Sequence, residues 1–180
     1  MTQKITRINQ IAKENKDTIF TSIYHLIDKD LLKECFEELD GNKAVGIDKI
    51  TKDEYGWNLS RNLDDLINRL KAKKYKPSPS RRVYIPKANG KLRNLAISNF
   101  EDKIVQMALK KILEAIYEPK FSDNMYGFRP WKGCHDALGR LTYDIQYNYT
   151  NYIVEADIKG FFDNIEHDNL INCLKLHIIC

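Results

Sequence analysis

The residue best placed for chemistry is Asp157, near the end of the mostly apolar run 152–158. The alternation of this run predicts a strand with Ile153, Glu155 and Asp157 on one face. A carboxylate there costs free energy unless it meets a cation. Because Mg²⁺ prefers oxygen ligands fixed on rigid backbone, Asp157 is a candidate magnesium ligand. The alternative is an ordinary aspartate that faces solvent at a strand end.

A second candidate is a short stretch rich in lysine and arginine, although the net charge of the whole chain is only +4. We call residues 71–93 the basic segment; its cations are Lys71, Lys73, Lys74, Lys76, Arg81, Arg82, Lys87, Lys91 and Arg93. Such clusters can contact phosphates. A solvated charged surface would have the same composition, so both interpretations stay open.

Other reactive residue types indicate no further chemistry. His135 and Asp136 are interpreted as the capped start of a helix, because no nucleophile accompanies them. The cysteines lack C-x-x-C spacing and are expected to be reduced, with Cys35 and Cys173 packed inside. Asp163 is expected to be a turn or capping residue.

The elements before the basic segment are predicted to be helices. An apolar stripe over residues 29–40 follows Asp28, a predicted N-cap, and closes at Gly41. Ser60 is predicted to cap a second helix that Pro77 and Pro79 end. The inward side chains of the second helix are Leu63, Leu66, Ile67 and Leu70.

The basic segment itself has the pattern of a β-hairpin. Residues 81–85 and 91–97 are predicted to be strands, and Asn89-Gly90 supplies a tight turn. Ser98 and Glu101 then form a predicted capping box for a long core helix that stops at Pro119. Its apolar stripe comprises Ile104, Val105, Ala108, Leu109, Ile112, Leu113 and Ile116.

The remaining elements flank the predicted strand of residues 152–158. A helix is predicted over about 135–147, and another from about Ile165 with Asn164 as its cap. Residues 174–180 stay apolar and helical in pattern. The expected class is therefore α+β, in one globular unit with a possible small appendage.

Neither a membrane span nor a secretory signal is evident. The apolar runs are far shorter than the ~20 residues that cross a bilayer, and residues 1–15 are polar. A cytoplasmic location is the expectation.

Four motifs resemble those of group II intron reverse transcriptases. Residues 153–165 resemble the first palm motif, and residues 39–48 resemble the amino-terminal signature. Residues 75–93 look like the fingers hairpin, and residues 126–130, Tyr-Gly-Phe-Arg-Pro, look like the motif that follows it. Their order and spacing agree with the family, so the resemblance covers roughly residues 25–172.

This resemblance implies roles for the palm residues. The aspartate that matches Asp157 is a catalytic metal ligand, and the main-chain carbonyl that matches Ile158 also contacts metal. Phe161 and Phe162 would lie at the nucleotide, where the aromatic matching Phe162 excludes a ribose 2′-hydroxyl. Plain packing is the alternative for Phe162. The implied cofactor is Mg²⁺.

The resemblance also implies contacts with nucleotide and nucleic acid. Lys87 and Arg93 would reach the triphosphate of an incoming deoxynucleotide, with surface charge on an exposed turn as the alternative. Arg129 either lies along the template path or is a buried structural arginine bonded to carbonyls. The expected contacts to nucleic-acid backbone are Lys71, Lys73, Lys74, Lys76, Arg81 and Arg82.

The implied architecture is a right-hand polymerase with fingers and the first strand and helix of the palm. The expected divisions are a basic extension at 1–24, fingers at 25–145 and the start of the palm at 146–180. The family's second palm motif, which carries two aspartates, does not occur in these 180 residues. We therefore expect a fragment of an RNA-directed DNA polymerase that is inactive by itself.

A binding-only module that grips intron RNA, as maturases do, is the second hypothesis. The expected partners are template or intron RNA, a DNA primer and deoxynucleoside triphosphates. Four positions depart from the family pattern: Asn94, Ala96 and Ser98 replace common proline, glycine and proline, and Trp131 replaces a frequent glycine. These departures alter turn stiffness more than charge.

Overall fold

The computed structural model describes residues 3–86, 88 and 90–179, and it confirms the predicted α+β class. The helices are Gln3–Glu14 (α1), Lys29–Glu38 (α2), Lys52–Gly56 (α3), Leu59–Lys71 (α4), Phe100–Tyr117 (α5), Cys134–Tyr147 (α6) and His167–Lys175 (α7). The strands are Phe20–Thr21 (β1), Arg81–Pro86 (β2), Leu92–Ile97 (β3) and Ile178–Ile179 (β4). Among the helices of the described residues, none combines the length and apolarity needed to cross a bilayer.

The chain divides into two compact units. The first comprises Met1–Arg7 and Tyr24–Glu114, and the second comprises Ile8–Ile23 and Ala115–Cys180. The first unit contains the antiparallel pair β2 and β3, in which Arg81 lies opposite Ile97 and Pro86 opposite Leu92. The second contains a short parallel pair, β1 and β4.

The core of the first unit is built by α2, α4 and α5. The predicted cap of α2 is confirmed, because the Asp28 carboxylate accepts a hydrogen bond from the Leu31 amide at 2.9 Å. The predicted inward face of α4 is buried. The rings of Phe36, Tyr55 and Phe100 join α2, α3 and α5, with centroids no more than 6.2 Å apart.

A buried cation also joins α5 to α2. The Lys111 ammonium donates to carboxylate oxygens of Glu34 and Glu38 at 2.6 Å each. Nearby, Cys35 is buried as predicted, and burial raises the pKa of its thiol to about 11. The neutral thiol is therefore a packing group. Cys173, which was also predicted to be packed inside, is instead exposed.

Two predicted caps are wrong. The helix α4 begins at Leu59, and the Ser60 hydroxyl accepts a hydrogen bond from Lys29 at 2.9 Å. The helix α5 begins at Phe100, and the Glu101 carboxylate accepts hydrogen bonds from Arg69 instead of closing a capping box. Ser60 is not the N-cap because it lies inside α4, and at Glu101 a distant cation binds the carboxylate that was predicted to cap.

The end of α4 also differs from prediction, and one short helix was missed. The helix α4 ends at Lys71, well before Pro77, and Lys73 closes it with a φ of +55°. The short helix α3 was not predicted, although Thr51 and Glu54 form a capping box at its start.

The most consequential correction concerns residues 152–158, which do not form the predicted strand. Their side chains are exposed, with Val154 at 89% and Ile158 at 69% of full exposure. A strand requires a neighbour for its backbone hydrogen bonds. Among the described residues, the strands form two separate pairs, and neither includes this run.

The end of the described chain also differs from prediction. The helix α7 begins at His167, because the Asn164 amide donates to the Gly160 carbonyl at 2.7 Å instead of capping a helix. Residues 178 and 179 form β4 rather than continuing a helix, and they pair with β1. Neither α6 nor α7 buries a side chain fully.

Candidate functional site

The predicted palm residues lie together on one exposed segment of the second unit. Asp157 and Ile158 are solvent-exposed, and a turn at Gly160, with a φ of +64°, follows them. Within the described part of the chain, no side chain or amide pairs with the Asp157 carboxylate. Asp157 therefore faces neither a packed interior nor a competing cation, and its oxygens are accessible to a ligand.

Two aromatic rings follow the carboxylate. Phe161 and Phe162 lie in a T-shaped arrangement, with ring centroids 5.3 Å apart and ring planes 75° apart. Phe162 is 80% exposed and Phe161 is 50% exposed. Plain packing, the alternative interpretation of Phe162, accounts poorly for a ring this exposed.

The donors at this segment suit magnesium in type but not in number. A carboxylate and a main-chain carbonyl are the hard oxygen ligands that Mg²⁺ prefers. An octahedral shell needs more of them, and the described residues contain no cluster of three or more His, Cys, Asp and Glu side chains able to hold a metal. Asp157 and Ile158 can supply only part of a metal site.

The basic segment is displayed by the turn after α4 and by the hairpin β2–β3. Arg93 lies on β3 opposite Ile85 and is exposed. Lys87, the other predicted triphosphate ligand, lies outside the described residues, as does Asn89 of the predicted turn. Gly90 has a φ of +76°. The predicted two-residue turn at 89–90 is wrong, because a two-residue turn there would pair 88 with 91, whereas β2 and β3 pair Pro86 with Leu92 and leave an odd number of residues between them.

Most of the predicted backbone-contacting cations are free to bind phosphates. Within the described ranges, no acidic side chain pairs with any of five exposed cations: Lys71, Lys73, Lys74, Lys76 and Arg82. Arg81 differs, because its guanidinium donates two hydrogen bonds to the Val45 carbonyl, at 2.9 and 3.1 Å. Unpaired, exposed cations are consistent with both interpretations of the basic segment, a phosphate-contacting face and a solvated charged surface.

The start of α5 positions the hairpin, which the sequence did not reveal. The buried Asn99 side chain accepts hydrogen bonds from the Ile47 and Asp48 amides, at 3.0 and 3.5 Å. Lys103 donates to the Ala44 carbonyl at 2.7 Å. Together with Arg81, these side chains hold the loop 44–48, which we call the brace loop, against the open end of the hairpin, where Arg81 pairs with Ile97.

A buried carboxylate completes this arrangement. Asp102 accepts hydrogen bonds from the Tyr75 hydroxyl at 2.5 Å and from the Ser78 amide at 3.1 Å. Burial and this hydrogen bond raise the pKa of Tyr75, so its hydroxyl remains a donor. The only sequence signal for this role was a group of polar residues before the apolar stripe: Asn99, Glu101, Asp102 and Lys103.

Arg129 has the geometry of a structural arginine. Its guanidinium donates to the Glu118 carboxylate at 2.8 to 3.2 Å and to the Ser122 and Met125 carbonyls at 2.5 and 2.9 Å. Its side chain is 7% exposed. Of the two alternatives, the geometry favours the one in which Arg129 is bonded to carbonyls. Asp136 accepts from the Gly133 amide at 2.7 Å, so the predicted capping of α6 is confirmed.

Comparisons with known proteins identify relatives along almost the whole chain. The chain is 39% identical over 176 residues to the group II intron-encoded protein LtrA of Lactococcus lactis subsp. cremoris, covering 97% of this chain and 29% of LtrA. It is 34% identical over 184 residues to the putative COX1/OXI3 intron 2 protein of Saccharomyces cerevisiae, covering 98% of this chain and 21% of that protein. The chain thus spans less than a third of the length of these relatives.

A shorter match joins the chain to a plant protein. It is 30% identical over 93 residues to nuclear intron maturase 1, mitochondrial, of Arabidopsis thaliana, covering 49% of this chain and 12% of the maturase. Residues 85–180, more than half of the chain, match the family described as reverse transcriptase (RNA-dependent DNA polymerase). The chain therefore belongs to the reverse transcriptase family, and its predicted resemblance to the group II intron-encoded members is confirmed.

Proposed function

We propose that this chain is the nucleotide-binding and RNA-binding part of an RNA-directed DNA polymerase of the group II intron type. The observation that carries the proposal is the family match over residues 85–180, which includes both Arg93 and Asp157. In this proposal the hairpin and α5 belong to the fingers, and residues 146–180 begin the palm. The substrates are deoxynucleoside triphosphates, a DNA primer and an RNA template.

Different residues of the chain have different roles in this reaction. Arg93 and Lys87 bind the triphosphate and offset the charge that grows in the transition state. Asp157 and the carbonyl of Ile158 contribute part of the ligand set for Mg²⁺, which supplies electrostatic activation of the primer hydroxyl and the leaving group. Phe162 lies beneath the sugar with Phe161 beside it, and an aromatic ring there excludes a 2′-hydroxyl.

The remaining basic segment binds the RNA backbone. Lysines and arginines add salt-dependent affinity without reading sequence, because each contact releases condensed counterions. The brace loop holds the hairpin that carries Arg81, Arg82 and Arg93. In this proposal Arg81 acts mainly as a brace, since its guanidinium is bonded to Val45. Arg129 supports its loop and does not contact the template directly.

An RNA-binding role without chemistry is the second candidate. It is favoured by the incomplete metal ligand set around Asp157 within the described residues. The exposed lysines of the basic segment suit intron RNA as well as a template.

The RNA-binding role predicts a charge-specific effect. The double variant Lys73→Gln/Lys74→Gln should lower the slope of log K against log salt for structured RNA by ~1.4 to 1.8, because each lost phosphate contact contributes roughly 0.7 to 0.9. The matched control is Lys110→Gln/Lys175→Gln, which removes the same charge elsewhere and should leave the slope unchanged. Filter binding across a salt series measures both. Equal slopes for the two double variants would refute the assignment.

The incomplete ligand set predicts that the 180-residue chain does not extend a primer by itself. One carboxylate cannot hold the metal ions of a nucleotidyl transfer against water. Primer extension on an annealed RNA template with Mg²⁺ should give no incorporation above the protein-free background. Incorporation that Asp157→Asn abolishes would show that the chain carries a complete active site.

A further inference from the structure

The hairpin β2–β3 presents different side chains on its two faces. In an antiparallel pair, directly opposite residues project from the same face, and neighbours along a strand alternate between the faces. Ile85 lies opposite Arg93, and Arg82 lies opposite Ala96. Because Arg82 and Ile85 are three positions apart on β2, the side chains of Arg82 and Arg93 project from opposite faces of the hairpin.

The face that carries Arg93, which we call the inner face, is partly covered by the first unit. Its residues are Arg81, Val83, Ile85, Arg93, Leu95 and Ile97. Val83 and Ile97, the two half-buried residues of the strands, both lie on it. At the open end of the hairpin, Arg81 reaches from this face to the brace loop. The inner face is therefore the one that turns toward the body of the first unit.

The opposite face, which we call the outer face, is open along its whole length. Its residues are Arg82, Tyr84, Pro86, Leu92, Asn94 and Ala96, and all of them are exposed. Tyr84 retains 53% of its full exposure and lies two residues from Arg82, so a phenol ring and a guanidinium stand side by side on this face. A ligand much larger than a nucleotide can approach the outer face without displacing any part of the first unit.

Charge indicates the class of ligand that fits the outer face. The strands β2 and β3 contain three arginines and no acidic residue. Within the described ranges, no acidic side chain pairs with Arg82. A polyanion is the electrostatic complement of such a surface. Among polyanions, a nucleic acid also offers unpaired bases, which can stack on an exposed tyrosine ring. The apolar pair Pro86 and Leu92 occupies only the turn end of this face.

We propose that the chain binds RNA on the outer face, through the Arg82 guanidinium and the Tyr84 ring, while the inner face holds the triphosphate at Arg93. The inference deepens the proposed function and rests on it for the choice of RNA as the polyanion. The two ligands then occupy opposite faces of one hairpin and are bound at the same time. Tyr84 is an RNA-contacting residue in addition to the cations of the basic segment.

Two matched pairs of substitutions test the assignment of RNA to one face. Arg82→Gln and Arg93→Gln remove the same charge from opposite faces, and Tyr84→Ala and Ile85→Ala truncate neighbouring exposed side chains on opposite faces. Fluorescence anisotropy at fixed ionic strength measures the affinity for a fluorescein-labelled RNA stem-loop, whose loop offers unpaired bases. The affinity should fall about 3- to 10-fold in Arg82→Gln and about 5-fold or more in Tyr84→Ala. Arg93→Gln and Ile85→Ala should stay within about twofold of the parent, because neither side chain reaches the outer face.

Competition between the two ligands gives a second, independent readout. A saturating deoxynucleoside triphosphate, added with the ionic strength held constant, should leave the affinity for the stem-loop unchanged. All four substituted side chains are exposed, so the circular dichroism spectra of the variants should match that of the parent. Equal RNA affinities in the two arginine variants, or release of the RNA by the triphosphate, would overturn the assignment of the two faces and leave the proposed function intact. Failure of the parent chain to bind the stem-loop would overturn both.

Discussion

Replacing Gly46 with alanine should lower the free energy of unfolding of the first unit by about 3 kcal/mol or more. A Cβ atom added at Gly46 would lie 2.1 Å from Asn99 Oδ1, 2.6 Å from Asn99 Cα and 2.7 Å from Asn99 N. Two of these atoms belong to the backbone at the start of α5, which cannot yield. The brace loop must move instead, and it then loses the hydrogen bond from the Ile47 amide to Asn99. Denaturant unfolding followed by circular dichroism measures the loss.

Gly41→Ala is the matched control, because Gly41 belongs to the same unit. The nearest atoms to an added Cβ there are side-chain carbons of Lys52, the closest at 3.2 Å, and a flexible lysine can shift. Its stability should stay within about 1 kcal/mol of the parent. If Gly46→Ala and Gly41→Ala unfolded at the same denaturant concentration, the close approach of the brace loop to α5 would be wrong.

Local signals in the sequence were sufficient to predict much of the secondary structure of the first unit. Asp28 precedes an apolar stripe, and the cap that it was predicted to form is present. The hairpin follows from alternation on either side of an Asn-Gly turn signal, and β2 and β3 pair over residues 81–86 and 92–97. These features involve residues close in sequence, where propensity and periodicity are informative.

Long-range features escaped prediction because no local pattern encodes them. Asn99 bonds to Ile47 across 52 residues, and Lys103 bonds to Ala44 across 59. A polar residue at a helix start looks like a cap in the sequence, whether its side chain turns to the backbone or to a distant loop. Glu101 was misassigned for this reason, since Arg69 competes for its carboxylate.

The candidate site likewise combines features that the sequence indicates with features that depend on distant parts of the chain. The resemblance selected Asp157, Ile158, Phe161 and Phe162, and these residues lie exposed on one segment of the chain. The predicted strand beneath Asp157 did not form, because alternation records which face would be buried but provides no neighbouring strand. The assignment of these four residues to a site stays a prediction, while the predicted backbone conformation was wrong because it depended on partners that the described residues do not provide.

The second large loss of stability is expected from a substitution in α5. The sequence predicted that the whole apolar stripe of this helix is buried, but in the structure only part of the stripe is. Ile104 is 0% exposed, whereas Leu109, predicted to pack beside it, is 45% exposed. Ile104→Ala should therefore lower the free energy of unfolding by about 2 to 5 kcal/mol, through lost burial and the cavity left behind. Leu109→Ala should cost less than about 1 kcal/mol, because alanine is also the better helix former.

The comparison is stringent because both substitutions remove side-chain carbons from one helix and leave its charge unchanged. Chemical denaturation of the two variants under identical conditions gives the difference directly, and it should exceed about 1.5 kcal/mol. A slope against denaturant equal to that of the parent would show that the variants unfold from the same native state. Equal losses in both variants would mean that Leu109 is packed. The buried face of α5 would then be wider than the structure shows.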